Sequence, residues 1–299
     1  MTTLHIIGNG FDLRHGIASR YTDFKKYAWK HNKHGYFLGL LETCYPDVNP
    51  TNGELELWCD LEAALGNPNI EAAFTATTED IEMEEEHEGR YQAEMEDAPG
   101  FFLSMMFEHF HSIFEEWLNQ VDINVDRIDN IPHFDRNGLF FSFNYTDTLE
   151  LLYNIPRDHI NYIHGRRNST DELIVGHCND INGDEHLSTD PYIYEYQAYE
   201  NIAKLINEEQ KKVSDILYFN SDYWNSLVNV DKVVVYGHSL ANVDLPYFKK
   251  IVNSVQKNAE WFISIFYQNS EEKQKEVEKV KNFITSMGLD ISRCYTFVL

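Results

Sequence analysis

The chain has 299 residues, of which 43% are hydrophobic, so it can bury an ordinary core as one large domain or two smaller ones. Its formal net charge is −25, from 24 basic and 49 acidic residues. Such a charge repels phosphate backbones and argues against non-specific binding of DNA or RNA. A single anionic nucleotide can still bind, because oriented backbone N–H groups create local positive potential.

The cysteines and the N-terminus both indicate a cytoplasmic protein. Cys44, Cys59, Cys178 and Cys294 are widely spaced and form no CxxC pair, a pattern typical of reduced, mostly buried thiols and not of a zinc site. No positively charged leader begins the sequence, and no stretch approaches the roughly 20 apolar residues of a membrane span. We therefore expect no bound metal and no membrane partner.

The first part of the chain predicts one strand followed by helices. The apolar run at 4–7 ends in Gly8-Asn9-Gly10 and indicates a buried strand running into a tight loop. No strand is predicted from 21 to 130, where helical spacing covers 21–44, 57–65 and 101–121. Between these, residues 79–97 carry ten acidic residues and one basic residue. This acidic segment is typical of a solvated helix or a mobile loop, with DNA mimicry a remote alternative.

After residue 138 the pattern alternates between strands and helices. Strands are predicted at 139–143, 159–163, 173–175, 232–236, 261–267 and 295–299, and helices at 146–153, across most of 192–227, and at 245–257 and 271–287. This alternation predicts an α/β fold with a doubly wound parallel sheet. The expected organisation is a core of 1–24 and 131–299, with a helical insertion at 25–130 that contains the acidic segment.

Ligands of such sheets bind at the carboxyl ends of strands, so the residues there are the candidate site. The first strand ends in Gly8-Asn9-Gly10-Phe11-Asp12, where glycines let backbone approach a phosphate. Leu13 stands where the dehydrogenase fingerprint needs a third glycine, and no second strand follows, which excludes an ordinary NAD dehydrogenase. A plain strand–loop turn remains the alternative.

Two further strand ends carry Asn144 and His164. The Asn144 amide can bind a ribose hydroxyl or a water, although it could instead cap the next helix, as could Thr146 or Asp147. His164 has a side chain suited to general-base catalysis, and Gly165 beside it leaves room for a ligand. A structural histidine is the alternative.

The fourth strand end is Gly237-His238-Ser239-Leu240, followed by Asp244. It resembles the nucleophile elbow of α/β hydrolases. No histidine follows His238, so the hydrolase triad order is not satisfied. Ser239 is therefore predicted to contact a nucleotide or to serve as a turn residue.

These blocks, in this order, resemble the AbiH family of bacterial phage abortive-infection proteins, and the resemblance spans most of the chain. It implies a role in antiphage defence, with an unknown phage trigger. The residues that carry it are Ile6-Ile7-Gly8-Asn9-Gly10-Phe11-Asp12, His15-Gly16, Tyr21-Thr22-Asp23-Phe24, Trp58-Cys59-Asp60-Leu61-Glu62, Phe143-Asn144-Tyr145-Thr146, Ile163-His164-Gly165 and Gly237-His238-Ser239-Leu240.

The AbiH family is in turn similar to sirtuin-like, Rossmann-like NAD-cleaving domains. This resemblance implies a nucleotide site built from Gly8, Asn9, Gly10, Asp12, Gly237, Ser239 and Asp244, with Asn144 and His164 as the catalytic residues. Ala18 replaces a proline of the sirtuin-like pattern, and Thr146 replaces an acid. The zinc-binding cysteine pairs of deacetylases are absent, which argues against a deacetylase.

The resulting hypothesis is hydrolysis of the N-glycosidic bond of NAD or a related nucleotide, with NAD as substrate and no prosthetic group. One alternative is a non-catalytic module that senses a nucleotide or a phage product and acts through a partner. A nuclease ranks last, because the acidic residues form a charge run without a metal-ligand pattern. A homo-oligomer is compatible with each hypothesis.

Overall fold

The structure is a computed structural model that describes residues 2–31, 35–45, 60–83, 87–187 and 191–299. The chain forms two compact units, each built from more than one segment. The sheet unit consists of Met1–Arg20, Leu118–Ile174 and Lys212–Leu299, and the helical unit of Tyr21–Trp117 and Val175–Lys211. The helical unit thus includes Val175–Lys211, which the sequence analysis assigned to the core.

The sheet unit contains six parallel strands, as the alternating pattern predicts. They are β1 (Thr2–Ile7), β2 (Leu139–Ser142), β3 (Ile160–Tyr162), β4 (Val230–Tyr236), β5 (Glu260–Ile265) and β6 (Cys294–Val298). Their order is β3-β2-β1-β4-β5-β6, so β1 lies between β2 and β4 and the strand order reverses there. The chain is therefore an α/β protein with a six-stranded parallel sheet flanked by helices.

The predicted strand at 173–175 is wrong. The Ile174 N–H donates to the backbone oxygen of His164 over 2.9 Å, and the Ile174 carbonyl accepts from the Tyr145 hydroxyl over 2.8 Å. These bonds satisfy the backbone of the short apolar run without a ladder, so it forms a loop beside the end of β3.

The helices of the described residues are more numerous than the sequence predicts, and the helix Glu88–Gln120 is longer than its predicted range of 101–121. They are α1 (Asn9–Arg14), α2 (Tyr21–His31), α3 (Gly35–Cys44), α4 (Leu61–Ala64), α5 (Ile70–Thr78), α6 (Glu88–Gln120), α7 (Thr148–Tyr153), α8 (Ile193–Glu208), α9 (Val213–Phe219), α10 (Ser221–Ser226), α11 (Leu245–Ser254) and α12 (Ser270–Met287). The predicted helix at 21–44 contains α2 and α3, and its residues 32–34 lie outside the described residues. Residues 57–59 of the predicted helix at 57–65 also lie outside them.

Local sequence signals explain where the clearest helix, α12, begins and ends. The Asn269 side chain accepts hydrogen bonds from the N–H groups of Glu271 and Glu272, which would otherwise lack partners at the first turn. Gly288 follows the helix with φ 67°, a left-handed conformation that glycine adopts without strain. These two signals fix α12 within a residue of its predicted bounds.

Two apolar cores lie on opposite faces of the sheet, because alternate residues of a strand point to opposite faces. Leu4 and Ile6 of β1 belong to a cluster with Phe248 of α11 and Phe283 of α12. Ile7 belongs to a second cluster, which includes Phe11 of α1 and Tyr153 of α7. Each fully buried aromatic or aliphatic side chain contributes about 1.5–3 kcal/mol to folding.

The helical unit has an aromatic core of its own. Phe24 of α2 is fully buried, and its ring lies 5.2 Å from that of Phe114 on α6. Buried Lys211 pairs with Glu62 over 2.7 Å. Of the acidic segment, residues 88–97 lie in the first turns of α6, and residues 84–86 lie outside the described residues.

The described residues also bear on membrane-spanning helices and on the burial of the cysteines. Within the described ranges, no helix is long and apolar enough to cross a membrane. Of the cysteines that these ranges include, Cys44 is buried, but Cys178 is exposed and Cys294 is half-buried, so the prediction of mostly buried thiols is wrong. Cys59 lies outside the described residues.

Candidate functional site

The register of the sheet brings the four predicted strand ends to one edge. Ile7 at the end of β1 pairs with Ser142 of β2 on one side and with Tyr236 of β4 on the other. Ser142 pairs in turn with Tyr162 of β3. Since all four strands are parallel, the residues that follow them emerge side by side at the carboxyl edge of the sheet.

The two glycine turns at this edge pack directly against each other. The Gly10 N–H donates to the Gly237 carbonyl over 2.8 Å, and the Gly8 N–H donates to the Tyr236 carbonyl over 2.9 Å. A Cβ added to Gly10 would lie 2.7 Å from the Gly237 Cα. Glycine is thus required where the two backbones touch, and the Gly10 N–H is occupied by this contact.

The Asn9 side chain holds the loop that follows α1. Its amide nitrogen donates to the Ser19 carbonyl over 3.0 Å, and its amide oxygen accepts from the Ser19 hydroxyl over 2.5 Å. Asn9, predicted to bind a nucleotide, therefore has both ends of its amide bonded to Ser19.

Asp12 is buried because the predicted tight loop begins a helix instead. Phe11 in the first turn of α1 is fully buried in the core, and Asp12 next to it is 1% exposed. The Thr146 hydroxyl donates to Asp12 Oδ2 over 2.5 Å, and the Thr148 hydroxyl donates to Thr146 over 3.2 Å. The other carboxylate oxygen, Oδ1, is buried without a hydrogen bond.

Burial raises the pKa of Asp12 to about 6, because the charged form loses its hydration. Thr146, Thr148 and Asn144 lower the pKa by smaller amounts, and so does the positive charge of Arg167. A buried carboxylate with a pKa this close to neutrality is typical of a functional site.

Asn144 lies at the same edge with an unsatisfied amide. The residue is 7% exposed, and neither its side-chain oxygen nor its nitrogen makes a hydrogen bond of normal geometry, although the amide is close enough to Asp12 to lower the pKa of that carboxyl. The N-cap of α7 is Asp147, so Asn144 does not cap that helix. A buried polar group without a partner costs about 1–3 kcal/mol, which makes a ligand its natural partner.

His164 lies among aromatic rings. It is 3% exposed, and its ring centroid is 5.6 Å from that of Phe143 and 5.7 Å from that of Tyr247. A Cβ on Gly165 would lie 2.1 Å from the Glu172 carbonyl oxygen. Gly165 therefore accommodates neighbouring backbone, and the expectation that it leaves room for a ligand is wrong.

At the end of β4, Asp244 faces a histidine of the same loop. Its carboxylate lies 3.4 Å from His238 Nε2, while His238 Nδ1 accepts from the Leu240 N–H over 2.8 Å. The ring proton is consequently on Nε2, directed at Asp244. Ser239 between them is exposed.

Arg167 and Asp147 form a buried ion pair that the sequence analysis did not identify. Arg167 Nε lies 2.6 Å from Asp147 Oδ1, and its guanidinium also donates to the carbonyls of Leu118 and Val121 where α6 ends. The signal in the sequence is the adjacent pair of basic residues, Arg166 and Arg167. A recess of about 550 Å³ beside Arg167, lined by residues 119–125, Leu151 and Leu152, contains none of the predicted site residues.

No group of three or more His, Cys, Asp or Glu side chains within the described ranges could hold a metal ion. One group of polar side chains at the carboxyl edge is a carboxyl, an amide and two hydroxyls, from Asp12, Asn144, Thr146 and Thr148. Such groups bind uncharged hydroxyls and water by hydrogen bonds.

These features define a class of α/β protein, one in which a parallel sheet presents a buried polar site at its carboxyl edge. A family model described as bacteriophage abortive infection AbiH matches residues 4–291. The chain belongs to the AbiH family, as its motifs predicted, and this membership supports a role in antiphage abortive infection. No curated protein and no solved structure matches the chain.

Proposed function

We propose that the chain binds NAD or a related nucleotide at the carboxyl edge of the sheet and hydrolyses its N-glycosidic bond. The observation that carries this proposal is the buried amide of Asn144 beside Asp12 Oδ1, two groups that make no hydrogen bond of normal geometry. Asp12 and Asn144 follow β1 and β2, and the strand order reverses beside β1, between β1 and β4. Doubly wound, Rossmann-like sheets bind dinucleotides where the strand order reverses. Depletion of NAD in the cytoplasm of an infected cell would account for abortive infection.

In this proposal each strand end contributes to one part of the nucleotide. The Gly8–Asp12 turn lies beside the pyrophosphate, and the turn of Gly237 and Ser239, supported by Asp244, borders the same ligand. Asn144 binds the nicotinamide ribose and a water. His164 falls on the catalytic histidine of the sirtuin-like pattern, which accepts a proton. Nicotinamide leaves as a neutral molecule, so no strong general acid is required.

The test is release of nicotinamide from NAD by the purified protein, measured by chromatography. Asn144→Ala should lower the rate by about 10²-fold or more, because the reacting groups lose their alignment. Asn161→Ala is the matched control, since the Asn161 amide donates to the Asn220 side chain over 2.7 Å within the protein. This control should retain the wild-type rate. Absence of release by the wild type, or equal release by Asn144→Ala, would contradict the proposal.

A second candidate is a module that binds a nucleotide without cleaving it and acts through a partner. The observation that favours it is His164, which is buried among aromatic rings as a packing residue would be. Titration calorimetry with NAD distinguishes the two candidates when nicotinamide is assayed in the same sample. Binding without release favours the sensing module, whereas binding with release favours the hydrolase.

A further inference from the structure

Asp12 has a buried carboxyl group whose two oxygens differ. Oδ2 accepts a hydrogen bond, whereas Oδ1 is buried without one of normal geometry. Thr146 donates to Oδ2, and Thr148 supports Thr146, so the carboxyl group is fixed from one side. Oδ1 is buried without a hydrogen bond of normal geometry, and so is the Asn144 amide, although Asn144 is close enough to lower the pKa of the carboxyl. Because these two adjacent buried groups meet without good hydrogen-bond geometry, one water or hydroxyl held between them would satisfy both.

Charged groups around Asp12 do not neutralise it directly. Arg167 attracts the carboxylate, but its guanidinium is bonded to Asp147 and to the backbone where α6 ends. On the β4 side, His238 directs its Nε2 at Asp244. Directly after α1, His15 Nδ1 donates to the Phe11 carbonyl over 2.7 Å, and its Nε2 lies 2.5 Å from the Tyr153 hydroxyl. Each of these side chains has a partner other than Asp12.

We infer that Asp12 is the general base of the proposed reaction and accepts the proton of a water held by the Asn144 amide. This inference rests on the proposed function and assigns Asp12 the role that the resemblance gives to His164. The imidazole of His164 packs between Phe143 and Tyr247, whereas the Oδ1 atom of Asp12 lies beside an amide that also makes no hydrogen bond of normal geometry.

The step balances without a co-reactant other than water. The water oxygen forms a bond to C1′ of the ribose as the bond from C1′ to the nicotinamide nitrogen breaks. The electron pair of that bond passes to the ring nitrogen and removes its positive charge. The proton of the attacking water passes to Asp12 Oδ1 and later returns to solvent. The products are ADP-ribose, nicotinamide and one proton.

The test compares wild type with Asp12→Asn in three measurements, which are nicotinamide release, NAD affinity by calorimetry and melting temperature. Asp12→Asn keeps the size of the side chain and the acceptor for Thr146, but it cannot accept a proton. We expect release to fall by ~10²–10⁴-fold and NAD affinity to stay within a few fold. The melting temperature at neutral pH should rise, because a buried charge that lacks a bonded cation is removed.

Asp231→Asn is the matched control. Its carboxyl accepts the Thr2 N–H over 3.0 Å where β1 and β4 begin, which is the opposite edge of the sheet. This control should keep wild-type release and should not raise the melting temperature. In the wild type the rate should also increase with pH through about 6, where Asp12 ionises, and Asp12→Asn should lack this increase.

Two failures are distinguishable. If the wild type releases nicotinamide and Asp12→Asn releases it equally fast, Asp12 is not the base, and the proposed hydrolase stands. If the wild type binds NAD and releases none, the proposed hydrolase and the inferred base are both overturned. A lower melting temperature in Asp12→Asn would also count against the inference, because it would identify the carboxylate as a stabilising structural group.

Discussion

At the scale of single residues, Asp12 makes stability depend on pH. Its folded pKa is about 6 and its ordinary value is 3.8, so the unfolded chain releases this proton at lower pH than the folded chain. The contribution of Asp12 therefore favours folding below about pH 4 and decreases as pH rises through about 6. A shift of about two pKa units corresponds to roughly 3 kcal/mol.

We predict that Asp12→Asn is more stable than wild type at pH 7.5, by up to about 3 kcal/mol, and that the difference shrinks toward pH 4. Denaturant unfolding at both pH values measures it, with Asp231→Asn measured alongside. A variant that is less stable than wild type at pH 7.5 would show that the ionised carboxylate supports the fold.

The sequence identifies Asn144 but not the partners of Asp12. Asn144 follows an apolar run directly, and strand-end position alone makes it a candidate. The contact of Asp12 with Thr146 joins residues 134 apart in sequence, and nothing local to either residue indicates it. Thr146, which stands where the sirtuin-like pattern has an acid, is the residue whose hydroxyl holds the Asp12 carboxyl group.

At the scale of elements, the two glycine turns at the carboxyl edge act as one packed unit. Gly237 has φ 58°, and a Cβ there would lie 2.4 Å from the backbone of Gly10 and Phe11. Gly16 also has positive φ, 78°, but a Cβ there meets nothing within 4 Å. Comparing Gly16 with Gly237 therefore distinguishes two losses of folding free energy. One is the strain of a left-handed backbone, and the other is the steric clash of an added Cβ.

We predict that Gly16→Ala destabilises the protein by about 1–2 kcal/mol, the strain of a left-handed alanine. Gly237→Ala should cost clearly more, because two backbone segments must also separate. Urea unfolding of the two variants measures the difference. Equal losses would mean that the turns can move apart freely and that their contact does not matter for stability.

Most strands are predictable from sequence, while the shortest elements are not. Runs such as Val233-Val234-Val235 are β-branched, which favours strands wherever they are buried. The strand predicted at 173–175 fails because Tyr145 and His164 bond its backbone from outside. Helix α1 begins on Asn9 and Gly10, which locally indicate a turn, and it forms because Phe11 anchors it in the core.

At the scale of the whole molecule, the formal net charge of −25 opposes compactness. Salt reduces this repulsion, since the Debye length falls from ~30 Å at about 0.01 M to ~3 Å at about 1 M. We predict that the melting temperature rises as NaCl is increased over this range, as measured by calorimetry. A falling melting temperature would indicate that attractive ion pairs, such as Lys211 with Glu62, outweigh the general repulsion.

The division into units is only partly predictable from composition. Residues 25–130 contain no pattern that predicts a strand, so the sequence predicts that they lie outside the sheet. Segment Val175–Lys211 also belongs to the helical unit, where the Lys211 N–H donates to the His177 carbonyl over 2.8 Å. This contact joins residues that are far apart in the sequence. The helical spacing of apolar residues does not indicate such contacts, so it does not predict which unit the segment belongs to.

The position of β1 has a consequence for how the protein is made. This strand is synthesised before both of its neighbours, which begin at Leu139 and Val230, so its second edge stays open for about 220 residues of translation. At ~5–20 residues per second this amounts to roughly 10–45 s. During that interval an aliphatic strand lies exposed in the nascent chain. Chaperone supply and elongation rate are therefore expected to govern how much active protein a cell accumulates.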